Sequence, residues 1–505
     1  LTLAFPKIDQ GWLAWISLTP LLLAIRQLDL RGGFIIGFWT GLVHNLGLMY
    51  WTVYTMHLYG NLPLFQCIPL LILLAGYLAL YTGVFGLAVT GLCDRPWKLM
   101  LVAPAAWVAL EMVKAHLFTG FPWELLGYSQ YKHLWIIQIA DLTGVYGVSA
   151  LIVAVNAFLA LAVFYWLETT WKGEPVARRT FIATAGVTAL ALIAVCGYGI
   201  RQIANVDKAV AAADKSNVAV VQGNIDQAHK WDPSFQMITA VKYKELSRKM
   251  ADRGADLIVW PETATPFYFL QDPLLSSLTL DGIKETGVYY LIGSPSYQKG
   301  KSGIRYYNSA YLVTPEGKEA GRYDKVHLVP FGEYVPLKRW LPFIKKMVAQ
   351  VGDFATGRRG STLKWRQHSL GVLICYEVIF PELARAMTQN GASLLVNITN
   401  DAWFGYTSAA YQHFSMAVFR SVENRRALAR AANTGISGFI GPAGRIISST
   451  ALFKEAAVMA PVPLLSLKTQ YTRWGDWSLG SIVLLVLAAA GIARRLDVRQ
   501  AEKKR

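Results

Sequence analysis

Gly371-Val-Leu-Ile-Cys375-Tyr-Glu-Val-Ile-Phe380, followed at once by Pro381-Glu382, decides how the polar part of this chain folds. The apolar run reads as a buried strand, a lone thiol stands at its C-terminal end, and Pro381 suits the first turn of a helix. A thiol on a strand-to-turn corner suits a nucleophile, because the backbone fixes the sulfur while the turn leaves it accessible. Taken alone, the stretch is better explained by a small core cysteine. Its surroundings shift that balance.

The 505 residues allow two or three domains. A hydrophobic fraction of 54% against 16% charged is too apolar for an ordinary soluble protein. A net charge of +17 invites a nucleic-acid reading. The Lys and Arg residues form no single basic face, however, and many lie in short loops between apolar runs, so nucleic acid is not an expected partner. Of the four cysteines, Cys67, Cys93 and Cys196 lie in or at the edge of apolar segments. No spacing resembles a metal site or a disulfide framework, and neither a metal nor a cofactor is expected. Cys375 is the one thiol in the polar part of the chain.

Seven apolar segments stand out: Trp12–Ile25, Gly33–Met56, Leu62–Cys93, Met100–Phe118, Thr143–Leu167, Thr180–Ile200 and Trp477–Ala493. A hydrocarbon core of ~30 Å needs about twenty helical residues, so most can span and the first is short. Arg26 and Arg31 follow the first segment, Arg95 and Lys98 the third, and Lys172, Arg178 and Arg179 the fifth. Arg494, Arg495, Arg499, Lys503, Lys504 and Arg505 follow the seventh. Alternation places all four clusters on one side, the cytoplasm by the positive-inside rule, and 201–476 on the other. The same count puts Leu1 outside the cytoplasm. Leu1-Thr-Leu-Ala-Phe-Pro6 reads as the tail of a helix, which predicts a further span upstream. The expected domains are a helical membrane domain over 1–200, an extracytoplasmic α/β domain over 201–476, and a final span with a basic tail over 477–505.

Within 201–476, short β-rich runs alternate with amphipathic helices. Strands are expected at Asn217–Asn224, Asp256–Trp260, Tyr289–Gly293, Ser309–Thr314, Leu370–Ile374, Ser393–Ile398 and Gly438–Ile440. Helices are expected near Gln236–Asp252, Pro381–Gln389 and Ala409–Ala431. Asp256-Leu-Ile-Val-Trp-Pro-Glu262 repeats the pattern of the opening stretch, with a carboxylate just past a strand end. Catalytic groups collect at the carboxyl ends of strands in open α/β sheets, so Glu262 and Cys375 could share one crevice. Alone, Glu262 reads as a loop carboxylate capping a helix. Arg322-Tyr-Asp-Lys325-Val-His-Leu-Val-Pro-Phe-Gly-Glu333-Tyr-Val-Pro336 is aperiodic, rich in Pro and aromatics, and reads as a shaped loop. Alone, its Lys325 reads as a solvated side chain.

Glu, Lys and Cys in this order, in an α/β domain, resemble the triad of the nitrilase (carbon–nitrogen hydrolase) superfamily. With apolar spans on both flanks, the chain resembles the apolipoprotein N-acyltransferase family. The matching stretches are Val221-Gln-Gly-Asn224, Lys230-Trp-Asp-Pro233, Trp260-Pro-Glu262, Asp324-Lys325 through Pro336, Ile374-Cys-Tyr-Glu377, Asn400-Asp-Ala-Trp-Phe-Gly405, Gln412-His413 and Asn433-Thr-Gly435. Leu80-Tyr-Thr-Gly83, Thr119-Gly-Phe-Pro-Trp123 and Gly127-Tyr-Ser-Gln130 extend the match into the apolar half. Ile225-Asp-Gln227 and Ala409-Ala410 depart from the family pattern, in loops rather than at the triad.

The resemblance implies an αββα layered sandwich on a multispan helical anchor in a bacterial inner membrane. It implies an acyl group taken from a membrane phospholipid, held as a thioester, and passed to the α-amine of a diacylglyceryl-cysteine at an apolipoprotein N-terminus. Glu262 would be the general base, Lys325 the cation facing the oxyanion, and Cys375 the nucleophile. Glu333, Tyr376, Glu377 and Trp231 would support them. Trp403, Phe404 and Tyr406 could line or lid the site, and ordinary packing or interfacial anchoring explains them about as well. Glu111 and Lys114, three apart on the fourth segment, are substrate-site candidates for which a mutual structural pair is the simpler account. A membrane-bound amidase of the same superfamily is the alternative activity, and a non-catalytic binding protein a more distant one. Nothing in the sequence calls for an oligomer, so a monomer is expected.

Overall fold

The computed structural model describes residues 1–300, 303–335 and 354–503. Its contacts divide the chain into one unit of Leu1–Val53, Pro63–Ile203 and Trp474–Arg505 and another of Tyr54–Leu62 and Ala204–Arg473. Pro336 of the expected loop, and Lys504 and Arg505 of the basic tail, lie outside the described residues.

The first unit is helical: α1 (Leu30–Met49), α2 (Trp51–Leu58, whose second half belongs to the other unit), α3 (Leu64–Leu92), α4 (Leu99–His116), α5 (Val145–Trp166), α6 (Arg178–Ala212) and the C-terminal helix Trp477–Lys503. Six helices among the described residues are long and apolar enough to cross a membrane, and the first expected segment is not one of them. It forms two short helices, Ala14–Ser17 and Thr19–Ala24. Asn156 of α5 explains the break, because its side-chain oxygen accepts from the N–H groups of Leu18 at 2.8 Å and Thr19 at 2.9 Å. Apolar helices in lipid gain little from hydrophobic burial against one another, so close backbone approach matters. Gly37 and Gly86 permit it between α1 and α3. A Cβ on Gly37 would lie 2.4 Å from the Thr82 carbonyl oxygen, and one on Gly86 2.1 Å from that of Gly33.

The second unit holds two six-stranded sheets. The first has β1 (Lys215–Gln222), β2 (Leu257–Val259), β3 (Tyr289–Gly300), β4 (Gly303–Val313) and β5 (Glu319–Asp324) in that order. The second runs β6 (Leu363–Trp365), β7 (His368–Ile374), β8 (Leu394–Thr399), β9 (Ala427–Ala432), β10 (Gly438–Ile440) and β11 (Ile446–Ser449). β12 (Ala456–Pro463) returns to pair antiparallel with β1. The parallel pairs are β1–β2–β3 in one sheet and β7–β8–β9 in the other. Helices α7 (Pro233–Ala251) and α8 (Pro273–Thr286) cover the first sheet, burying Tyr243, Leu246, Leu275 and Ile283 against Ile258 and Tyr290. Helices α9 (Pro381–Gln389) and α10 (Ala409–Asn424) pack on the second. Gln222 at the end of β1 accepts from Ser437 at 2.6 Å and Thr450 at 2.7 Å, joining the sheets. This is the nitrilase-like α/β arrangement.

The expected helix Ala409–Ala431 stops at Asn424, and Arg425 enters the left-handed region at φ +51°. Ala427–Ala432 then becomes β9, although its Ala-rich sequence favours helix. Pairing on both edges, with β8 and with β10, and complete burial override that local preference. The shaped loop is likewise shorter than expected: Arg322–Asp324 close β5, and the turn begins at Lys325.

Candidate active site

Each side chain of the expected triad leaves the end of a strand. Glu262 follows β2 after Pro261, Lys325 follows β5, and Cys375 follows β7. All three are buried, at 7%, 1% and 9% exposure. The β2 turn fits because Gly293 on β3 lacks a side chain, since a Cβ there would lie 2.2 Å from the Pro261 oxygen and 2.7 Å from the Glu262 Cα. Cys375 has a φ of +53°, a conformation that costs a non-glycine residue roughly 1–2 kcal/mol. Glu377 holds that turn. Its carboxylate accepts from the N–H of Ile374 at 2.7 Å, of Val326 at 2.6 Å and of His327 at 3.1 Å, and from the Tyr323 hydroxyl at 3.0 Å. One buried carboxylate thus ties the strand bearing the thiol to the loop bearing Lys325. Arg420 of α10 adds to this by donating to the Ile379 carbonyl at 3.1 Å.

Lys325 Nζ lies 2.9 Å from Glu333 and 3.7 Å from Glu262. Asn308 of β4 bridges the same two carboxylates, donating to Glu262 at 2.7 Å and to Glu333 at 3.0 Å. The other Glu262 oxygen accepts from the Asn400 N–H at 3.0 Å, and the other Glu333 oxygen from the Val329 N–H at 2.8 Å. Burial opposes the charge on Lys325, but Glu333, Glu262 and Cys375 outweigh it and hold the ammonium above its ordinary pKa. Burial and the Glu262 charge push the Cys375 thiol up, against the pull of Lys325. The resting sulfur is therefore a protonated thiol, with a carboxylate and an ammonium as its charged neighbours. Burial also pushes Glu377 up to about 7, against its backbone N–H donors and Lys325. Every partner named for Glu377 is a donor, so the anion is the form that fits its setting.

The remaining expected residues divide. Glu333, Tyr376 and Glu377 belong to this cluster. Trp231 is half-buried on the turn after β1. Trp403 and Phe404 are half-buried on the turn that follows β8, next to the Asn400 that holds Glu262. Tyr406 is 66% exposed and packs on Phe453, 4.2 Å between ring centres. Glu111 and Lys114 lie in the first unit, each with its own partners. Glu111 accepts from the Leu126 N–H at 2.7 Å and the Trp107 indole at 3.0 Å, while Lys114 donates to the Trp123 carbonyl at 3.4 Å.

Residues 1–158 match the apolipoprotein N-acyltransferase N-terminal domain, and 217–470 match the carbon-nitrogen hydrolase family. An apolipoprotein N-acyltransferase of Geobacter metallireducens is 44% identical over 494 residues, 97% of this chain and 93% of its own. The chain belongs to the apolipoprotein N-acyltransferase family. That makes it an acyltransferase and a membrane protein. An apolipoprotein N-acyltransferase of Methylococcus capsulatus is 36% identical over 433 residues, 85% of this chain and 81% of its own. Among solved structures, a Nesterenkonia amidase is 22% identical with a TM-score of 0.37, covering 50% of this chain and 91% of its own.

Two further members of the cluster were not among the expected site residues. Asn308 lies on β4 with no motif around it, and only the sheet brings it to Glu262. Lys230, within a matched stretch, is 2% exposed and donates to the Glu262 carbonyl at 3.3 Å. Burial lowers its pKa to about 8 despite the nearby Glu262 charge.

Proposed function

We propose that this acyltransferase moves a fatty acyl chain from a membrane phospholipid to the α-amine of an N-terminal diacylglyceryl-cysteine, through a thioester on Cys375. The observation that carries the reading is the single buried cluster of Glu262, Lys325 and the Cys375 turn. In the first half-reaction Glu262 takes the thiol proton as sulfur attacks the ester carbonyl. Lys325 and the N–H of the peptide after Cys375 face the developing oxyanion. The sulfur–carbon bond forms, the glycerol carbon–oxygen bond breaks, and Glu262 returns its proton to the leaving alkoxide. In the second half-reaction the acceptor amine attacks the thioester. Its proton goes to Glu262 and then to the departing thiolate, which restores the enzyme.

Both substrates are lipid-anchored and reach the site along the membrane. The Arg and Lys clusters favour a bacterial inner-membrane protein with 201–476 on the periplasmic side, and the chain acts as a monomer. Shielding the thioester from water separates transfer from hydrolysis, and the aromatic pair Trp403–Phe404 suits that task. The test is incubation of the purified full chain with labelled phospholipid, with and without a lipopeptide amine. A hydroxylamine-sensitive acyl adduct on Cys375, detected by mass spectrometry and discharged by the amine, is expected. No adduct, or one that persists in Cys375→Ala, rejects the mechanism. An adduct that water clears as fast as the amine does would favour the hydrolase over the transferase.

A further inference from the structure

The Cys375 turn has a second anchor, and it comes from a matched motif that the triad leaves unused. His413 of α10 is fully buried, and its Nε2 lies 3.1 Å from the carbonyl oxygen of Cys375. A carbonyl can only accept, so Nε2 carries a hydrogen and donates it. The rest of the ring is fixed from behind. Nδ1 is 3.0 Å from both the Asp401 carboxylate and the Arg430 guanidinium, and Phe404 sets its edge against the ring with 5.9 Å between ring centres. Arg430 also donates to the other Asp401 oxygen at 2.8 Å and to the Ile436 carbonyl at 3.1 Å, and Thr399 donates to Asp401 at 2.9 Å. Asp401, His413 and Arg430 are at most 1% exposed. Gly435 makes room for them, since a Cβ there would lie 2.2 Å from the Asp401 carboxylate.

The bond to Cys375 has a consequence on the far side of the same peptide. In a planar trans peptide the C=O and the N–H point in opposite directions. Fixing the Cys375 carbonyl therefore fixes the direction of the Tyr376 N–H, the backbone donor assigned to the oxyanion. Cys375 opens the short 3-10 helix Cys375–Ile379 with a φ of +53°, so that plane lies at a strained helix start rather than inside a regular element. A hydrogen bond to the carbonyl also polarises the N–H and strengthens it as a donor. We infer that His413, braced by Asp401 and Arg430, is a positioning residue that aims the Tyr376 N–H at the oxyanion of the acyl-transfer step. This rests on the thioester reading given above.

The test compares two reactions of Cys375 in the full-length protein. Acylation by phospholipid passes through an oxyanion, whereas alkylation by iodoacetamide displaces iodide and does not. His413→Asn places its amide near the Nδ1 position and loses the bond to Cys375, while His413→Gln reaches the Nε2 position and keeps it. With His413→Asn, acylation is expected to fall about 10- to 100-fold and alkylation to stay within about twofold of wild type. His413→Gln is expected to recover most of the acylation rate. Equal acylation in wild type and His413→Asn overturns the inference. So does a matching fall in both reactions, which would mean that His413 merely holds the fold, and so does a Gln variant as slow as the Asn variant. A wild-type protein that forms no adduct removes the thioester reading itself and the inference with it.

Discussion

At the scale of single residues, the site is a balance of charges in a buried volume. Glu333 matters because it is the nearer of the two carboxylates on Lys325, at 2.9 Å against 3.7 Å for Glu262. Glu333→Gln removes a negative charge from a buried ammonium, and Lys325 then draws towards Glu262, the proposed base. Single-turnover acylation is expected to slow by at least about tenfold, and the thermal midpoint to fall as the buried ammonium loses its nearer partner. Lys230 gives a pH signature. Its folded pKa of about 8 lies below the ordinary 10.5, so between these values the unfolded chain holds more protons than the folded one, and stability rises with pH. Below pH 8 the buried ammonium lowers stability, by up to about 3 kcal/mol on the linkage arithmetic. Relative to wild type, Lys230→Met should therefore be most favoured near neutral pH and lose that advantage towards pH 10.5. Thermal melts of both proteins across this range read the difference.

At the scale of elements, two contacts position Glu262 from opposite directions. Gly293→Ala on β3 is expected to push the Pro261–Glu262 turn away, because the new Cβ would sit 2.2 Å from the Pro261 oxygen. A loss of several kcal/mol in stability, or a shift of Glu262 that abolishes acylation in a folded protein, follows from a contact that short. Unfolding and acylation measured on one preparation separate the two. On the other side, the turn after β8 is pinned by Tyr54–Leu62. Thr55 donates to the Trp403 carbonyl at 2.9 Å, Tyr59 donates to the Ala402 carbonyl at 3.0 Å, and the Tyr59 and Trp403 rings meet edge to face at 4.8 Å. Tyr59→Phe removes one bond and keeps the ring. It should loosen residues 400–405 by about 1 kcal/mol, seen as faster amide exchange there and slower acylation.

At the scale of the whole molecule, the proposed topology makes an accessibility prediction. In a Cys375→Ala background, Tyr406→Cys replaces a side chain that is 66% exposed on the catalytic unit. Glu174→Cys replaces an exposed one between α5 and α6, beside Lys172 and Arg178. A membrane-impermeant maleimide added to spheroplasts should label the first directly and the second only after permeabilisation. The reverse pattern would overturn the orientation. The apolar helices and the alternating α/β pattern were legible because each is a local periodicity, readable within about twenty residues. Cys375 and Glu262 each stand just past an apolar strand run, yet each alone reads as structural, and only the order Glu, Lys, Cys marks them as candidates.

The sequence by itself determined the family and the two kinds of unit, and it singled out Glu262, Lys325 and Cys375 as the proposed triad. It could do so because spans, strand runs and motifs are written in neighbouring residues. Only the tertiary structure decided that Ala427–Ala432 is a strand, since that follows from sheet partners on both edges rather than from its own propensity. Only it joined Asn308 to Glu262 and Glu333, 46 and 25 residues away, and His413 to the Cys375 carbonyl, 38 residues away. Such contacts depend on which strand ends meet, and no local pattern encodes that.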